Sequence, residues 1–414
     1  MDSRTRVLTA LRREEPDRVP IDLGSMPSTG IMAIAYARLK KHLGLEKGVV
    51  RVYDVGQQLA EPEKEMLELF KVDVISLTRT LEPCGPGNER WREWFLPDGT
   101  RCEVPAWFNP EPDGAGGWVV KNGRGVVVSK MPKGSLYFDS VYHPLEKAEN
   151  PEALKDYDWE SHKVGDEHVS SLSRKAEHLY NNTGFAIHFF GAGSVHEAGQ
   201  SLRGWSNWLI DLSSRRSLAS AILDRMMDVL MHNVKKYVEA LKDHVQVIGF
   251  GDDLGIQTGP QVPPKTYREL LKPCHRELFQ YVKKHSRMFV FLHSCGSIHD
   301  LIPDLIDAGV DILNPVQISA RNMEPERLKK EFGDQVAFWG GGVDTQKVFH
   351  VGSPEEVYKH VKKNILVFAR NGGYVFNQVH NIQANVPPEN ILAAYRSAYE
   401  NGFYPLKPVG SPSI

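Results

Sequence analysis

From Asn182 to the end of the chain, short apolar segments alternate with amphipathic helical patterns. The apolar segments read "GFAIHFF", "VQVIGF", "MFVFLH", "DILNP", "VAFWG" and "YVFNQ", and a helical pattern such as "PEEVYKHVKKNILVFARNGG" follows each of them. These segments do not alternate apolar with polar residues, which is typical of strands that are covered on both faces. The alternation therefore predicts a parallel sheet with helices packed on it.

The first half of the chain adds the candidate strands "RVPIDLG", "VVRVYD" and "VDVISLT". Taking all of these segments except "GFAIHFF" as barrel strands gives eight βα units, which favours an α/β TIM barrel over an open doubly wound sheet. Between Leu81 and His143 the pattern changes to a Gly-, Pro-, Trp- and Val-rich stretch with the turn signals "PDG" and "NGRG". We predict a β-rich insertion of hairpins after strand 3, beside the barrel mouth, within a single domain of residues 1–414.

Composition narrows the classes of function. The formal net charge is -2 and there is no long basic block, which disfavours nucleic-acid binding. The first 20 residues lack the apolar core of a signal peptide, and no apolar stretch approaches the ~18 residues of a membrane span. Four cysteines in 414 residues predict a reducing, cytoplasmic location without a disulfide framework. A homodimer is left open.

In a TIM barrel the chemistry lies at the carboxyl ends of the strands, so we examined the residues that follow each apolar run. Carboxylates, imidazoles, amides and a thiol stand there. In chain order they are Asp22, Asp54, Arg79, Asp252 with Asp253, His293 with Cys295, Asn314 with Gln317, Asp344, and Gln378 with His380. We predict that Asn314, Gln317, Asp344 and Gln378 contact substrate.

The sequence "FLHSCG" predicts a zinc site. His293 and Cys295 are two residues apart, so on an extended segment their side chains point to the same side. Imidazole nitrogen and thiolate sulfur are both favoured zinc ligands, and a catalytic zinc commonly has three protein ligands. We assign His380, at the end of strand 8, as the third. The alternative is that His293 is a buried polar residue and Cys295 a small apolar filler.

Asp252 and Asp253 in "GDDLG" are predicted to act as an acid/base group or to contact metal or substrate. The alternative is that they cap a helix or form loop salt bridges, as Asp often does at such turns. Asp344 in "GGGVDTQ" has the same alternative, since it precedes a helical pattern.

The segments "FLHSCGSIHDLIPDLIDAGVDILNPVQ", "LKKEFGDQVAFWGGGVDTQKVF" and "GGYVFNQVHNIQANVPPENILAA" resemble the uroporphyrinogen decarboxylase superfamily, from about Val247 onward. The resemblance implies a TIM barrel. True decarboxylases of the superfamily need no metal and carry an Arg-rich segment of the form Arg-Gln-Ala-Gly-Arg. The corresponding region here, "IDLGSMPSTGIM", has no arginine, which argues against that reaction.

The zinc-dependent corrinoid methyltransferases of the superfamily carry His-x-Cys and a later Cys, where this chain has His380. The resemblance implies an O-demethylase-like enzyme that transfers a methyl group from a methoxylated, aromatic substrate to cob(I)alamin on a separate corrinoid protein. Zinc would be the Lewis acid on the ether oxygen. The alternatives are a methylcobamide:thiol methyltransferase, a metal-free decarboxylase and a non-catalytic binding protein.

Overall fold

The structure is a computed structural model that describes residues 1–45, 47–78 and 91–406. Its helices are α1 Ser3–Leu11, α2 Ala33–His42, α3 Lys64–Leu69, α4 Asp166–Asn182, α5 His196–Arg203, α6 Trp205–Ser214, α7 Arg216–Leu241, α8 Pro264–Thr266, α9 Lys272–His285, α10 Ile302–Ala308, α11 Pro325–Phe332, α12 Pro354–Phe368 and α13 Pro388–Asn401. A π-helical turn, Tyr267–Leu271, joins α8 to α9.

The strands are short. They are β1 Ile31–Met32, β2 Val52–Asp54, β3 Leu59–Ala60, β4 Val74–Ser76, β5 Trp91–Phe95, β6 Arg101–Pro105, β7 Glu111–Pro112, β8 Trp118–Lys121, β9 Val127–Met131, β10 Asp139–Ser140, β11 Ala186–Phe190, β12 Val247–Gly251, β13 Gly255–Ile256, β14 Gly259–Pro260, β15 Phe289–His293, β16 Ile312–Asn314, β17 Ala337–Trp339 and β18 Tyr374–Val375.

A seven-stranded sheet forms the centre of the fold, in the order β18-β17-β16-β15-β12-β11-β4. Every neighbouring pair in it is parallel. Residues 20–22 connect its two edges: the Asp22 N–H donates to the Phe376 carbonyl at 2.9 Å, and the Asp73 N–H donates to the Ile21 carbonyl at 2.8 Å. The result is an α/β fold with a curled parallel sheet, consistent with a TIM-like barrel.

The two faces of this sheet explain why its strands do not alternate in polarity. One face packs inward: Phe291, Ile312 and Ala337, from three different strands, belong to a single fully buried cluster. On β15 the intervening residues Val290 and Leu292 are also fully buried, but they pack in a second, larger core cluster. Both faces are therefore apolar, as the sequence pattern predicts.

One predicted barrel strand is wrong. The segment "VVRVYD" forms β2, which pairs antiparallel with β3 in a separate three-stranded sheet, so Asp54 does not end a barrel strand. Only four residues separate β2 from β3, whereas a parallel crossover needs a dozen or more. The segment "GFAIHFF" provides the barrel strand β11 instead, between β4 and β12.

Six strands, β5 to β10, lie between Trp91 and Ser140, and where they pair with one another the pairing is antiparallel. Aromatic rings pack between them, with Trp94 and Trp118 centroids 5.0 Å apart. The Phe138 N–H donates to the Gly56 carbonyl at 2.8 Å, which connects this region to the turn between β2 and β3. Residues 79–90, which include Arg79 and the predicted start at Leu81, lie outside the described residues, so the insertion's boundaries remain a prediction.

Within residues 1–45, 47–78 and 91–406, no helix combines the length and the apolar character that crossing a bilayer requires.

Candidate metal centre

The neighbouring strands β12 and β15 bring two polar loops together. Gly251, the last residue of β12, is in register with His293, the last residue of β15. The Asp252 N–H extends this ladder by donating to the His293 carbonyl at 2.8 Å. Asp253 lies two residues after β12 and Cys295 two residues after β15. Because the ends of these strands are in register, both residues lie beside His293.

Asp253, His293 and Cys295 form a cluster, called the metal cluster below, in which one ligand atom from each lies within 4.8 Å of the others. Cys295 Sγ is 3.5 Å from His293 Nε2, and Asp253 Oδ1 is 3.6 Å from the same nitrogen. Among the described residues this is the one such group of three. A nitrogen, a sulfur and a carboxylate oxygen are all ligands that zinc accepts in a tetrahedral site.

Asn314 orients the imidazole of His293. Its Oδ1 is 2.6 Å from His293 Nδ1, and its amide nitrogen donates to the Trp339 carbonyl at 2.9 Å. Since the amide oxygen can only accept, His293 carries its proton on Nδ1 and presents the Nε2 lone pair to Asp253 and Cys295. This is the tautomer that a metal-binding histidine held through its other nitrogen requires.

Gln317 and Gly296 fix the loop that carries Cys295. Gln317 Oε1 accepts the Gly296 N–H at 2.7 Å. Gly296 has a φ of 84°, and a Cβ there would lie 2.3 Å from the Gly255 carbonyl carbon. The close approach of two backbones therefore requires glycine at this position. The sequence predicts that Asn314 and Gln317 contact substrate. In the structure Asn314 bonds to His293 of the cluster, and Gln317 bonds to the loop that carries Cys295.

The thiol of Cys295 is neutral before any metal binds, because burial, followed by the charge of Asp253, raises its pKa well above the usual value. A divalent cation reverses this preference, since a coordinating thiol gives up its proton. Metal binding at the cluster would therefore release a proton.

A cavity of about 520 Å³ lies over the cluster, and we call it the cavity below. Its lining combines apolar and polar groups and contains neither Arg nor Lys among the described residues. The lining residues are Met26, Pro27, Ser28, Gln57, Phe190, Gly191, Gly193, Ser194, Glu197, Gly251, Asp253, His293 and His380.

His380 lies at the cavity but not in the tight group of three ligands. Burial, followed by the neighbouring His293, lowers its pKa to about 4, while Asp253 acts in the opposite direction. His380 is therefore neutral near pH 7 and has a lone pair available. Its place as third ligand remains a prediction, and Asp253 is the residue that forms a group of three candidate ligands with His293 and Cys295.

Asp252 and Asp253 have different surroundings although they are adjacent. Asp253 Oδ1 accepts the Cys295 N–H at 2.7 Å on the cavity side. Asp252 is 1% exposed and bonds to His275 Nε2 at 2.7 Å on the other side. Burial acts to raise the pKa of Asp252, but the hydrogen bond and charge of His275 outweigh it and hold that pKa below its usual value.

Glu197 lines the cavity, and the sequence analysis missed it. Burial, followed by the charges of Asp253 and Asp252, raises its pKa to about 8, so its carboxyl group is mostly protonated at pH 7. It stands in the first turn of α5, directly after β11. Only residues that follow predicted barrel strands are candidates in the sequence analysis, and β11 is not counted among those strands. Counting β11 would have made Glu197 a candidate site residue.

Two predicted substrate contacts have other partners. Asp344 Oδ1 accepts the backbone N–H groups of Gln346 and Lys347 at 2.8 and 3.0 Å, the turn-capping role that the sequence left open. Gln378 donates to the Gly30 carbonyl and accepts from Tyr395. Neither residue is among those that line the cavity.

One hydroxyl group in the cavity lining has an unused hydrogen-bonding capacity. Ser28 Oγ is buried and has no hydrogen-bond partner among the described residues. Gln57, which also lines the cavity, accepts from the Asn381 amide at 2.8 Å, and Asn381 is next to His380. Gln383, bonded to Asn381, also donates to the Tyr137 hydroxyl at 2.8 Å. The segment between β9 and β10, which carries Tyr137, is therefore linked by hydrogen bonds to the cavity lining.

Comparisons with known proteins identify a family for most of this fold. A family model described as uroporphyrinogen decarboxylase matches residues 137–400. A uroporphyrinogen decarboxylase from Pelodictyon phaeoclathratiforme is 24% identical over 181 residues, which are 42% of this chain and 47% of that protein. The aligned part thus spans about half the length of this curated relative.

Among solved structures, a methyltransferase from Methanosarcina mazei superposes with a TM-score of 0.55 over 97% of this chain and 99% of that one. The two chains share 17% sequence identity, so the likeness shows a common fold.

Proposed function

The chain belongs to the uroporphyrinogen decarboxylase family, and we propose that within it this protein is a zinc-dependent methyltransferase. Its reaction would move a methyl group from a methoxylated, aromatic substrate to the reduced corrinoid of a separate protein. The observation that carries the proposal is the metal cluster, in which nitrogen, sulfur and oxygen donors from two adjacent strand ends lie within 4.8 Å of one another.

The donor set fits zinc, and the hydrogen bonds around it support the same assignment. His293 and Cys295 would hold the ion, with Asp253 or the predicted His380 as the third ligand. When bound, zinc supplies a Lewis acid that stabilises negative charge developing on an ether oxygen as its carbon–oxygen bond breaks. Asn314 would hold His293 in the tautomer that binds the ion.

The cavity lining supports a small, largely uncharged aromatic substrate. Met26, Pro27 and Phe190 offer apolar surface for a ring, and the cluster lies at the same cavity. The buried Ser28 hydroxyl would hydrogen-bond a polar substituent, since it has no partner among the described residues. Glu197, largely protonated near pH 7, is placed to donate a hydrogen bond to an oxygen in the cavity.

The same lining argues against the decarboxylase alternative. A substrate with several carboxylates needs cationic partners, of which arginine is the usual one. No Arg or Lys stands among the described lining residues. The thiol methyltransferase alternative uses the same metal site, and the presence of a carboxylate in the cluster favours oxygen over sulfur as the group that zinc activates.

Metal content tests the site. We expect about one zinc per chain in the purified protein, and loss of zinc in His293→Ala and Cys295→Ala. Asp253→Asn and His380→Ala then decide the third ligand: the variant that loses zinc identifies it. His299→Ala is the matched control, because His299 is bonded to Glu331 away from the cavity. Full zinc in the His293→Ala and Cys295→Ala variants would refute the site.

A further inference from the structure

Behind the metal cluster, three buried side chains form a hydrogen-bond chain that the proposed reaction does not use. The Tyr267 hydroxyl is 3.1 Å from His275 Nδ1, and His275 Nε2 is 2.7 Å from Asp252 Oδ2. Their exposed fractions are 0%, 2% and 1%, respectively. A fully satisfied polar chain at this depth fixes the relative positions of its members.

The direction of each hydrogen bond in this chain follows from its end at Asp252. The Asp252 carboxylate only accepts, so His275 carries a proton on Nε2 and donates it to Oδ2. When the His275 ring is neutral, its Nδ1 therefore accepts the proton of the Tyr267 hydroxyl. Tyr267 begins the π-helical turn before α9, a local irregularity that often occurs at functional positions.

Asp252 also holds the start of α5. Its two oxygens accept the N–H groups of Val195 and Glu197, each at 2.8 Å. Glu197 in turn lies against the backbone of Asp253. Asp252 therefore fixes the start of α5 and, through it, the position of Glu197.

These contacts lead to the metal cluster. Consecutive residues of an extended segment point to opposite sides. The hydrogen bonds that hold the Asp252 side chain away from the cavity therefore also turn Asp253 toward His293 and Cys295. Asp253 Oδ1 is within 3.6 Å of His293 Nε2 and accepts the Cys295 N–H. Any shift of Asp252 would therefore move a carboxylate of the cluster.

We propose that Asp252, His275 and Tyr267 are positioning residues that hold Asp253 and Glu197 at the metal cluster and so set its affinity for a divalent cation. This inference rests on the metal site of the proposed function. Groups that orient metal ligands without touching the metal commonly change its affinity by about 10- to 100-fold when they are removed.

The probe is Co²⁺, whose binding is followed by its visible absorption and by competition with a chelator, so the readout does not depend on turnover. His275→Leu removes the donor to Asp252 and should weaken Co²⁺ binding by about 10- to 100-fold with an altered absorption spectrum. His275→Gln keeps an N–H donor near the position of Nε2 and should recover most of the affinity. A merely structural histidine would not show this rescue.

Control variants separate positioning from stability. His360→Leu removes a half-buried histidine that is bonded to Asn364 away from the cavity, and should leave Co²⁺ binding unchanged. Tyr267→Phe and Tyr36→Phe each remove one buried tyrosine hydroxyl. Only Tyr267→Phe should weaken Co²⁺ binding, because Tyr36 bonds to Glu63 on another part of the fold.

The outcomes are distinguishable. A folded His275→Leu variant with wild-type affinity and spectrum would overturn this inference and leave the metal site standing. If His275→Leu does not fold, Tyr267→Phe decides, and an unchanged affinity there overturns the inference. A wild-type protein that does not bind Co²⁺ would overturn both this inference and the proposed function.

Discussion

Replacing Asp73 should destabilise the whole fold, because this carboxylate joins the edge of the sheet to the segment that closes it. Asp73 is fully buried, and its oxygens accept from the Ser3 hydroxyl, the guanidinium groups of Arg6 and Arg18, and the Ile21 N–H, at 2.7 to 3.0 Å. Asp73→Asn keeps the shape of the side chain but removes its charge. An amide group would then face two cations.

The size of the effect follows from what each arginine retains. Arg6 keeps a second carboxylate, Asp17. Among the described residues Arg18 keeps no carboxylate, but it keeps hydrogen bonds to the carbonyl groups of Val19 and Lys71 and a contact with the Tyr399 ring. Removing one partner of a buried ion pair costs about 3–5 kcal/mol, since the other charge stays buried and unpaired. Total stabilities of about 5–15 kcal/mol are typical, so about a fifth of the stability or more should be lost.

Urea denaturation followed by circular dichroism measures this change. Asp17→Asn is the matched control: Asp17 also bonds Arg6, but its side chain is 37% exposed, so the loss should be about 1 kcal/mol or less. The midpoint for Asp73→Asn should fall well below that of the control, with a similar slope. Equal midpoints for the two variants would refute the role given to burial.

Other expectations concern the site. In metal-free protein, the pKa of Glu197 is raised to about 8 from an ordinary 4.5. Between those pH values the folded protein keeps this proton and the unfolded chain releases it, so the contribution of Glu197 to the unfolding free energy falls as pH rises. The Glu197→Gln variant should not show that fall. The pKa of His380 is lowered to about 4 from 6.5, so between those pH values the contribution of His380 to the unfolding free energy rises with pH. The His380→Gln variant should not show that rise. Gly296→Ala should abolish metal binding, because its Cβ would collide with the Gly255 backbone. The control is Gly99→Ala, at a similar positive φ but in open space, which should lower the unfolding free energy by about 1 kcal/mol and leave metal binding intact. Denaturation curves across pH and metal titrations check these outcomes, and pH slopes or metal affinities unaffected by the substitutions would contradict them.

The parallel sheet was predictable because its cause is local. A strand buried on both faces must be apolar at consecutive positions, and β15 shows this with Val290, Phe291 and Leu292. The same reasoning failed for β2, whose residues Val52 and Tyr53 are just as compatible with a buried strand. The partner of a strand depends on the connection that follows it, and the short connection to β3 selected an antiparallel neighbour.

The site was predictable only in part, for a related reason. His293 and Cys295 share one strand end, so their spacing alone places them together. The closeness of Asp253 depends on the register of β12 against β15, and the sequence does not state that register. The outward direction of Asp252 depends on His275 in α9, a contact between residues 23 apart that no local pattern encodes.

The requirement for metal in methyl transfer tests the central claim most directly. Metal-loaded and chelator-stripped enzyme are each incubated with guaiacol, a methoxylated phenol, and cobalamin reduced to the Co(I) state, and the release of catechol is measured together with the corrinoid spectrum. We predict catechol release by the loaded enzyme, loss of release after stripping, and recovery on addition of zinc. Release at the full rate by the stripped enzyme would contradict the account.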